Sequence, residues 1–316
     1  MLDVQTKIFV AGHRGLVGSA LVRALERNGH MNIIVRTRSE LDLMDPEAVQ
    51  FFFQTEKPQV VIDAAAKVGG IMANIQAPAD FIFQNLQIQN NLIHGAYKNG
   101  VKKFVFLGSS CIYPRLSQQP MKEEYFMTGP LEPTNEAYAI AKIAGINMCQ
   151  SYNKQYGTDF ISLMPTNIYG FQDNFSLETG HALQAMMHRF HKAKMEQVPF
   201  ITLWGSGEVY REFMFSDDAA DAILFLANNY SGSEIVNIGT GVDVQIKELA
   251  EIIKRVVGYQ GEIQWDLTKP EGMPRKLMDV QKLNNLGWKH TRSLEEGIIQ
   301  TYKWFLENAA CNVSVN

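Results

Sequence analysis

The sequence predicts an α/β protein: a doubly wound, Rossmann-type parallel sheet with a smaller C-terminal α/β region that binds substrate. Three observations lead there. Short apolar runs alternate with longer helical patterns, the first run ends in a glycine-rich turn, and the strand runs are apolar throughout. Strands without polar alternation belong to sheets covered on both faces, and right-handed crossovers then wind the chain to either side.

Lys7-Ile-Phe-Val-Ala-Gly12 reads as the first buried strand, and residues 15–28 carry helical spacing through Leu16, Val17, Ala20, Leu21 and Leu25. Further strands are expected over 32–36, 59–64, 104–109, 159–165 and 234–238, with helices over 46–56, 78–99, 136–156 and 181–194. From residue 171 the texture changes and strands are expected to be sparser. Residues 172–179 are polar and turn-rich, 269–275 form a loop, and helical patterns return over 216–229, 245–258 and 293–309. This divides the chain into a Rossmann-type domain over 1–170 and a second, mainly substrate-binding region over 171–316, some segments of which return to the first domain.

Bulk properties narrow the field. A chain of 316 residues suits one large domain or two coupled ones. The net charge of −4 gives no bulk attraction to nucleic acid or an anionic membrane, and no basic tract is present. Cys111, Cys149 and Cys311 are too few and too scattered for a disulfide framework, and no Cys/His cluster has metal-ligand spacing. No apolar run reaches membrane-spanning length, and the strand pattern begins by Lys7, leaving no room for a signal peptide. The expected location is the cytoplasm.

The turn Gly12-His-Arg-Gly15-Leu-Val-Gly18 lies between strand and helix. Glycines at this spacing allow a tight turn, close approach of a pyrophosphate and close helix packing, and the anion meets free N–H groups at the helix start. A glycine turn that only packs is the plainer alternative. The end of the second strand carries Arg36 and Arg38 in place of the acid that would hold the ribose of NAD, and Arg14 lies in the glycine loop. Guanidinium groups clamp a 2′-phosphate that a carboxylate would repel, so NADPH is the expected cofactor, with Arg38 as the better phosphate contact. Both arginines read equally as solvated loop charges. The small residues of Asp63-Ala-Ala-Ala66, Ala65 among them, either let the cofactor approach or pack helix on sheet.

Tyr138-Ala-Ile-Ala-Lys142 places tyrosine and lysine on one helix face. An ammonium near the phenol is expected to lower the tyrosine pKa, so that the hydroxyl exchanges a proton with a carbonyl oxygen as hydride moves; the lysine also holds the nicotinamide ribose. Upstream, Ser109 follows the fourth strand in Leu107-Gly-Ser-Ser-Cys111, where ligands bind beyond strand ends. Glycine turn, serine and YxxxK in this order resemble the extended short-chain dehydrogenase/reductase family.

The likeness narrows through Gly108-Ser-Ser-Cys-Ile-Tyr-Pro114, Leu131-Glu-Pro-Thr-Asn135, Met164-Pro-Thr-Asn-Ile-Tyr-Gly170, Leu203-Trp-Gly-Ser-Gly207, Arg211-Glu-Phe and Pro274-Arg-Lys-Leu, and runs from residue 7 to 308. These are similar to the branch of that family that epimerises GDP-4-keto-6-deoxy-mannose at C3 and C5 and reduces it at C4 with NADPH, giving GDP-L-fucose. The resemblance implies Cys111 as base and His181 as acid for the epimerisation, with Ser109 and Tyr138 polarising the C4 oxygen. Taken alone, the cysteine reads as a small buried hydrophobe and the histidine as a cap. The same resemblance implies Arg189, Arg211, Trp204 and Asp279 as contacts of a GDP-linked 4-keto-6-deoxy-sugar, Asn167 beside the cofactor, and a homodimer. Phe171 stands where the family usually has proline after Tyr169-Gly170. Two other readings stay open: an epimerase or dehydratase of the same family that retains NAD, and a non-catalytic NADP sensor on this fold.

Overall fold

The computed structural model describes residues 3–177, 179–269 and 272–308. In chain order the elements are β1 (Ile8–Ala11), α1 (Leu16–Arg27), β2 (Ile33–Ile34), α2 (Pro46–Glu56), β3 (Val60–Asp63), α3 (Ile71–Gln76), α4 (Pro78–Lys98), β4 (Lys103–Leu107), α5 (Glu136–Tyr156), β5 (Phe160–Pro165) and β6 (Asn167–Tyr169). They continue with α6 (Ala182–Met195), β7 (Phe200–Trp204), β8 (Tyr210–Phe215), α7 (Ser216–Asn229), β9 (Val236–Ile238), β10 (Asp243–Gln245), α8 (Ile246–Val257), β11 (Glu262–Asp266), β12 (Arg275–Lys276), α9 (Gln281–Asn285) and α10 (Leu294–Asn308).

The main sheet is parallel and runs β2-β1-β3-β4-β5-β9. Its order reverses between β1 and β3, which makes the crevice at their carboxyl ends the place for a ligand. Side chains alternate across this sheet, and the two faces are chemically different. Ile8, Val10, Val60, Ile62, Val105, Leu107, Ile161 and Leu163 pack with α1 and α7. Phe9, Val61, Phe104, Phe106 and Phe160 face the other way, with α2, α4 and α5. Rings this large need space in the covering helices. A Cβ on Gly145 of α5 would overlap the Phe106 ring, and one on Gly95 of α4 would lie 2.8 Å from Phe53. Each buried phenylalanine contributes roughly 2–3 kcal/mol.

A third core lies outside this sheet, where Leu183, Met187 and Phe190 of α6 meet Leu249 and Ile253 of α8 and Ile298 and Phe305 of α10. Beside it β7 pairs with β11, and β8 is flanked by β10, β12 and β6. From this part of the chain α7 and β9 return to the main sheet, β9 pairing with β5.

The expectation of sparse strands beyond residue 171 is corrected here: β7 to β12 all lie there, and only β9 was foreseen. The others lack the continuous buried runs that mark a strand covered on both faces. β7 alternates exposed and buried residues, β10 and β12 are three and two residues long, and β8 carries Arg211 and Glu212. Their pairing is fixed by partners distant in sequence. The short elements α3, β6 and α9 were also unforeseen, and β2 spans two residues instead of five. Residues 178, 270, 271 and 309, together with Cys111's distant companion Cys311, lie outside the described residues. Cys111 and Cys149 are free thiols. No helix among the described residues is long and apolar enough to cross a membrane.

Candidate active site

A cleft of about 1070 Å³ opens over the carboxyl ends of β1, β3, β4 and β5 and is closed on its far side by α6, β7, β8 and the β12 segment. Its floor is built from backbone. Gly12 has φ of 79°, and a Cβ there would lie 2.7 Å from the carbonyl oxygen of Ala64. That position therefore requires glycine twice over, for its conformation and for its contact. A Cβ on Gly18 would collide with the carbonyl of Gly12, so Gly18 lets α1 start hard against the loop. Gly12, Gly15 and Ala65 line the cleft, whereas Gly18 lies behind it. This cradle and a nearby cation fit a dinucleotide phosphate.

The three arginines separate clearly. Arg36 is committed: its guanidinium meets Glu56 at 2.5 Å and stacks 5.8 Å from the Phe52 ring centroid. Arg38 lines the cleft and, among the described residues, has no ion pair. Arg14 is exposed and does not line it; its charge acts on His13 and Glu40.

Ser109 sits just past β4, where its hydroxyl accepts the N–H of Cys111 at 3.2 Å and caps a 3₁₀ turn over Ser110–Ile112. The cap turns the chain so that Ser109 and Cys111 both face the cleft. Tyr138, in the first turn of α5, reaches the same place, close enough for the Ser109 hydroxyl to act on its own. Enclosure by protein pushes the Tyr138 hydroxyl above its usual range, a Cys111 charge adds to the rise, and Ser109 opposes it. The expected lowering by Lys142 is thus corrected. Lys142 lies in the core, its Nζ donating to the Leu107 carbonyl at 2.8 Å and standing 5.9 Å from the Tyr138 ring centroid. Burial lowers the Lys142 pKa, and the buried carboxylate of Asp63 works against that. Asp63 is itself pushed up to about 6 by burial, with Lys142 and the Ala65 N–H holding it down. Gln89 of α4 donates to the Ala141 carbonyl at 2.7 Å, tying the two helices together beside Lys142.

The opposite wall carries His181, Arg189, Trp204, Arg211 and Lys276. His181 stands at the N-terminus of α6 without capping it, accessible from the cleft yet deep within the concavity. Burial and then the Lys276 ammonium hold its imidazolium below the usual range. Arg189 reaches across to the Thr202 carbonyl, burial lowering its pKa, and Trp204 is 46% exposed at the end of β7. Asn167 lines the cleft while its amide donates to the Glu212 carbonyl at 2.7 Å. Asp279 is not brought to the cleft: its carboxylate accepts the Gln281 N–H at 2.8 Å at the start of α9. The chain turns away after Lys276, so the distance in sequence from Arg275 was a poor guide.

Four further residues were not singled out from the sequence. Lys276 and Asn135 place their nitrogens 3.4 and 3.1 Å from the Cys111 sulfur. Asp173 lines the cleft, its carboxyl pushed up to about 7 by burial while Gln184 and the Asn174 N–H bond to it. Glu212 is fully buried and accepts N–H groups from Thr240, Gly241 and Met278. A charge inside an otherwise apolar strand, Tyr210-Arg-Glu-Phe-Met-Phe215, was the available signal for Glu212. Lys276 and Asn135 lie within Pro274-Arg-Lys-Leu and Leu131-Glu-Pro-Thr-Asn135, where no local pattern sets them apart.

Comparison with known proteins agrees with this geometry. Residues 8–239 match the NAD dependent epimerase/dehydratase family. The chain is 60% identical over 308 residues to a putative GDP-L-fucose synthase 2 of Arabidopsis thaliana, covering 98% of this chain and 94% of that one. Among solved structures, a GDP-6-OMe-4-keto-L-xylo-heptose reductase from C. jejuni superposes with a TM-score of 0.93 at 38% identity, covering 97% and 99% of the two chains. A GDP-L-fucose synthetase from Naegleria fowleri bound to NADP superposes with a TM-score of 0.90 at 30% identity, covering 98% and 96%. A likeness that spans the whole chain, at this identity, places it in the NAD dependent epimerase/dehydratase family and, within it, among the GDP-L-fucose synthases.

Proposed function

We propose that the chain converts GDP-4-keto-6-deoxy-mannose to GDP-L-fucose by epimerisation at C3 and C5 and reduction at C4. The observation that carries this reading is the meeting of Ser109, Cys111, Tyr138 and His181 in one cleft whose floor is the glycine loop. NADPH supplies the hydride when bound, with Gly12, Gly15 and Ala65 against its phosphates or base and Arg38 on its 2′-phosphate.

In the epimerisation, Ser109 and Tyr138 hydrogen-bond the C4 oxygen and stabilise the enolate that forms when a proton leaves C3 or C5. Cys111 takes that proton as a thiolate and His181 returns one to the opposite face. Tyr138, kept protonated by its enclosure, then gives its proton to the C4 oxygen in the reduction. Arg189 and Arg211 hold the diphosphate, and Trp204 packs on the sugar or base. Lys142 and Asp63 act from beneath, fixing α5 against β4 and β3.

The test is to mix the protein with NADPH and GDP-4-keto-6-deoxy-mannose, follow NADPH loss and identify the product. Stoichiometric oxidation to GDP-L-fucose is the expected result. An unepimerised reduced product would keep the reductase and remove Cys111 and His181 from the mechanism. NAD retained without net oxidation would favour the epimerase or dehydratase reading.

A homodimer in the cytoplasm belongs to the same proposal. Tyr97 and Tyr156 stack 4.2 Å apart on the outer face of α4 and α5, and Tyr156 is 46% exposed, which supports a helix-to-helix contact there. Free thiols at Cys111 and Cys149 suit a reducing compartment. Sedimentation giving a single-chain mass would remove the dimer.

A further inference from the structure

We propose that Lys276 is the positioning residue that sets the charge states of Cys111 and His181 together. The inference deepens the epimerase reading and rests on it. Lys276 Nζ lies 3.4 Å from the Cys111 sulfur. Its charge is also the neighbouring charge felt by His181. One ammonium therefore stands between base and acid, favouring negative charge on the first and opposing positive charge on the second.

Three features show that this placement is built. Lys276 is partly buried, and among the described residues its ammonium pairs with no carboxylate. A half-desolvated cation without a counter-ion is costly unless a group that can take up negative charge faces it, and the Cys111 sulfur is such a group within reach. Next, the two residues of β12 are used in opposite directions. Arg275 forms a two-pronged pair with Asp243, at 2.5 and 3.0 Å, on the side away from the cleft. Lys276, the alternate residue, then faces the cleft. Finally, the strand is anchored on both flanks: Lys276 registers with Arg211 of β8, and the Met278 N–H donates to buried Glu212 at 2.9 Å. Asn135 adds a neutral donor to the same sulfur.

Other charged or titratable groups that line the cleft with the pair include Tyr138 from α5, Glu132 paired with Arg115, Arg189 from α6 on the Thr202 carbonyl, Arg211 from β8, Lys67 paired with Asp80, and Asp173 bonded to Gln184. None of them is within bonding distance of the Cys111 sulfur among the described contacts.

The test needs no substrate, so it is separable from the epimerase reading, which the fate of solvent deuterium in Cys111→Ser decides. Neutral iodoacetamide is used, so that the probe's own charge does not respond to the substitution, and alkylation of Cys111 is followed by peptide mass spectrometry. In Lys276→Gln, alkylation at pH 7 should slow about tenfold, and the NMR titration midpoint of His181 should rise. Lys276→Arg should restore both in large part, and Lys276→Met, the second uncharged variant, should show the same two changes and carries the test if glutamine perturbs folding. Either readout unchanged in a folded, uncharged variant overturns the proposal; a raised KM with both unchanged would make Lys276 a substrate contact alone.

Discussion

The two walls of the cleft solve different problems. The wall on the main sheet is made of backbone and small residues, with Gly12, Gly15 and Ala65 leaving room and Ser109 and Tyr138 supplying neutral donors. The facing wall is made of side-chain charge: Arg189, Arg211 and Lys276, with His181 beside them. Shape on one side and charge on the other means the two can be disturbed separately. A reduced cofactor needs a close-fitting groove, whereas an anionic sugar nucleotide and a transient enolate need cations and proton carriers.

The hardest break falls on Tyr138, which serves both reactions. Tyr138→Phe should lower the rate of NADPH oxidation about 10²–10⁴-fold while NADPH affinity, read by fluorescence titration, stays unchanged. A comparable loss of affinity would mean that the tyrosine shapes the groove instead. Where the sheet wall faces the charged one, Cys111→Ser should suppress deuterium uptake at C3 and C5 about 10²-fold, with NADPH binding intact; normal uptake would free Cys111 from any role as base. Arg38→Ala should weaken NADPH binding about tenfold and leave NADH binding alone. Arg36→Ala should do much less, because Arg36 is held by Glu56. Equal effects of the two would show that the phosphate is gripped elsewhere.

The smallest expected effect concerns Asp173. Burial raises its carboxyl to about 7 in the folded chain, above the value of about 4 for an unfolded aspartate. Across that window the folded state holds a proton that the unfolded state has released, so stability falls as pH rises and the full cost is present above pH 7. Asp173→Asn should therefore raise Tm by a few degrees at pH 8 and by less at pH 5. An equal change at both pH values would place the ionisation outside that window.

What could be read in advance follows from the same contrast. Strands of the main sheet are buried on both faces, so Lys7–Gly12 or 159–165 announce themselves as apolar runs without knowledge of their neighbours. Their helices matched closely for the same local reason: 46–56, 136–156 and 216–229 appear as α2, α5 and α7. The preference for Arg38 over Arg36 has no local basis for the ion pair that occupies Arg36: both line the cleft, and Glu56 lies 20 residues along the chain. The charged wall was less legible because its strands are short and half-exposed, and each is positioned by a distant partner. Lys276 and Cys111 are 165 residues apart in sequence, and no spacing joins them. Asp279 shows the converse, a plausible acceptor carried out of reach by the turn into α9. The pKa of Tyr138 depends on enclosure, which a helical spacing does not report.

Glu212 has a consequence for anyone who would graft a new specificity onto this chain. Its single carboxylate gathers the N–H groups of Thr240, Gly241 and Met278, from two separate segments, onto β8. It acts as a keystone: segments of independent origin in the sequence share one point of support. Exchanging the Lys276 segment for that of another enzyme would succeed only if the incoming piece presents an N–H at the place of Met278. Removing the carboxylate would release both segments at once. Specificity on this wall is therefore inherited as a block.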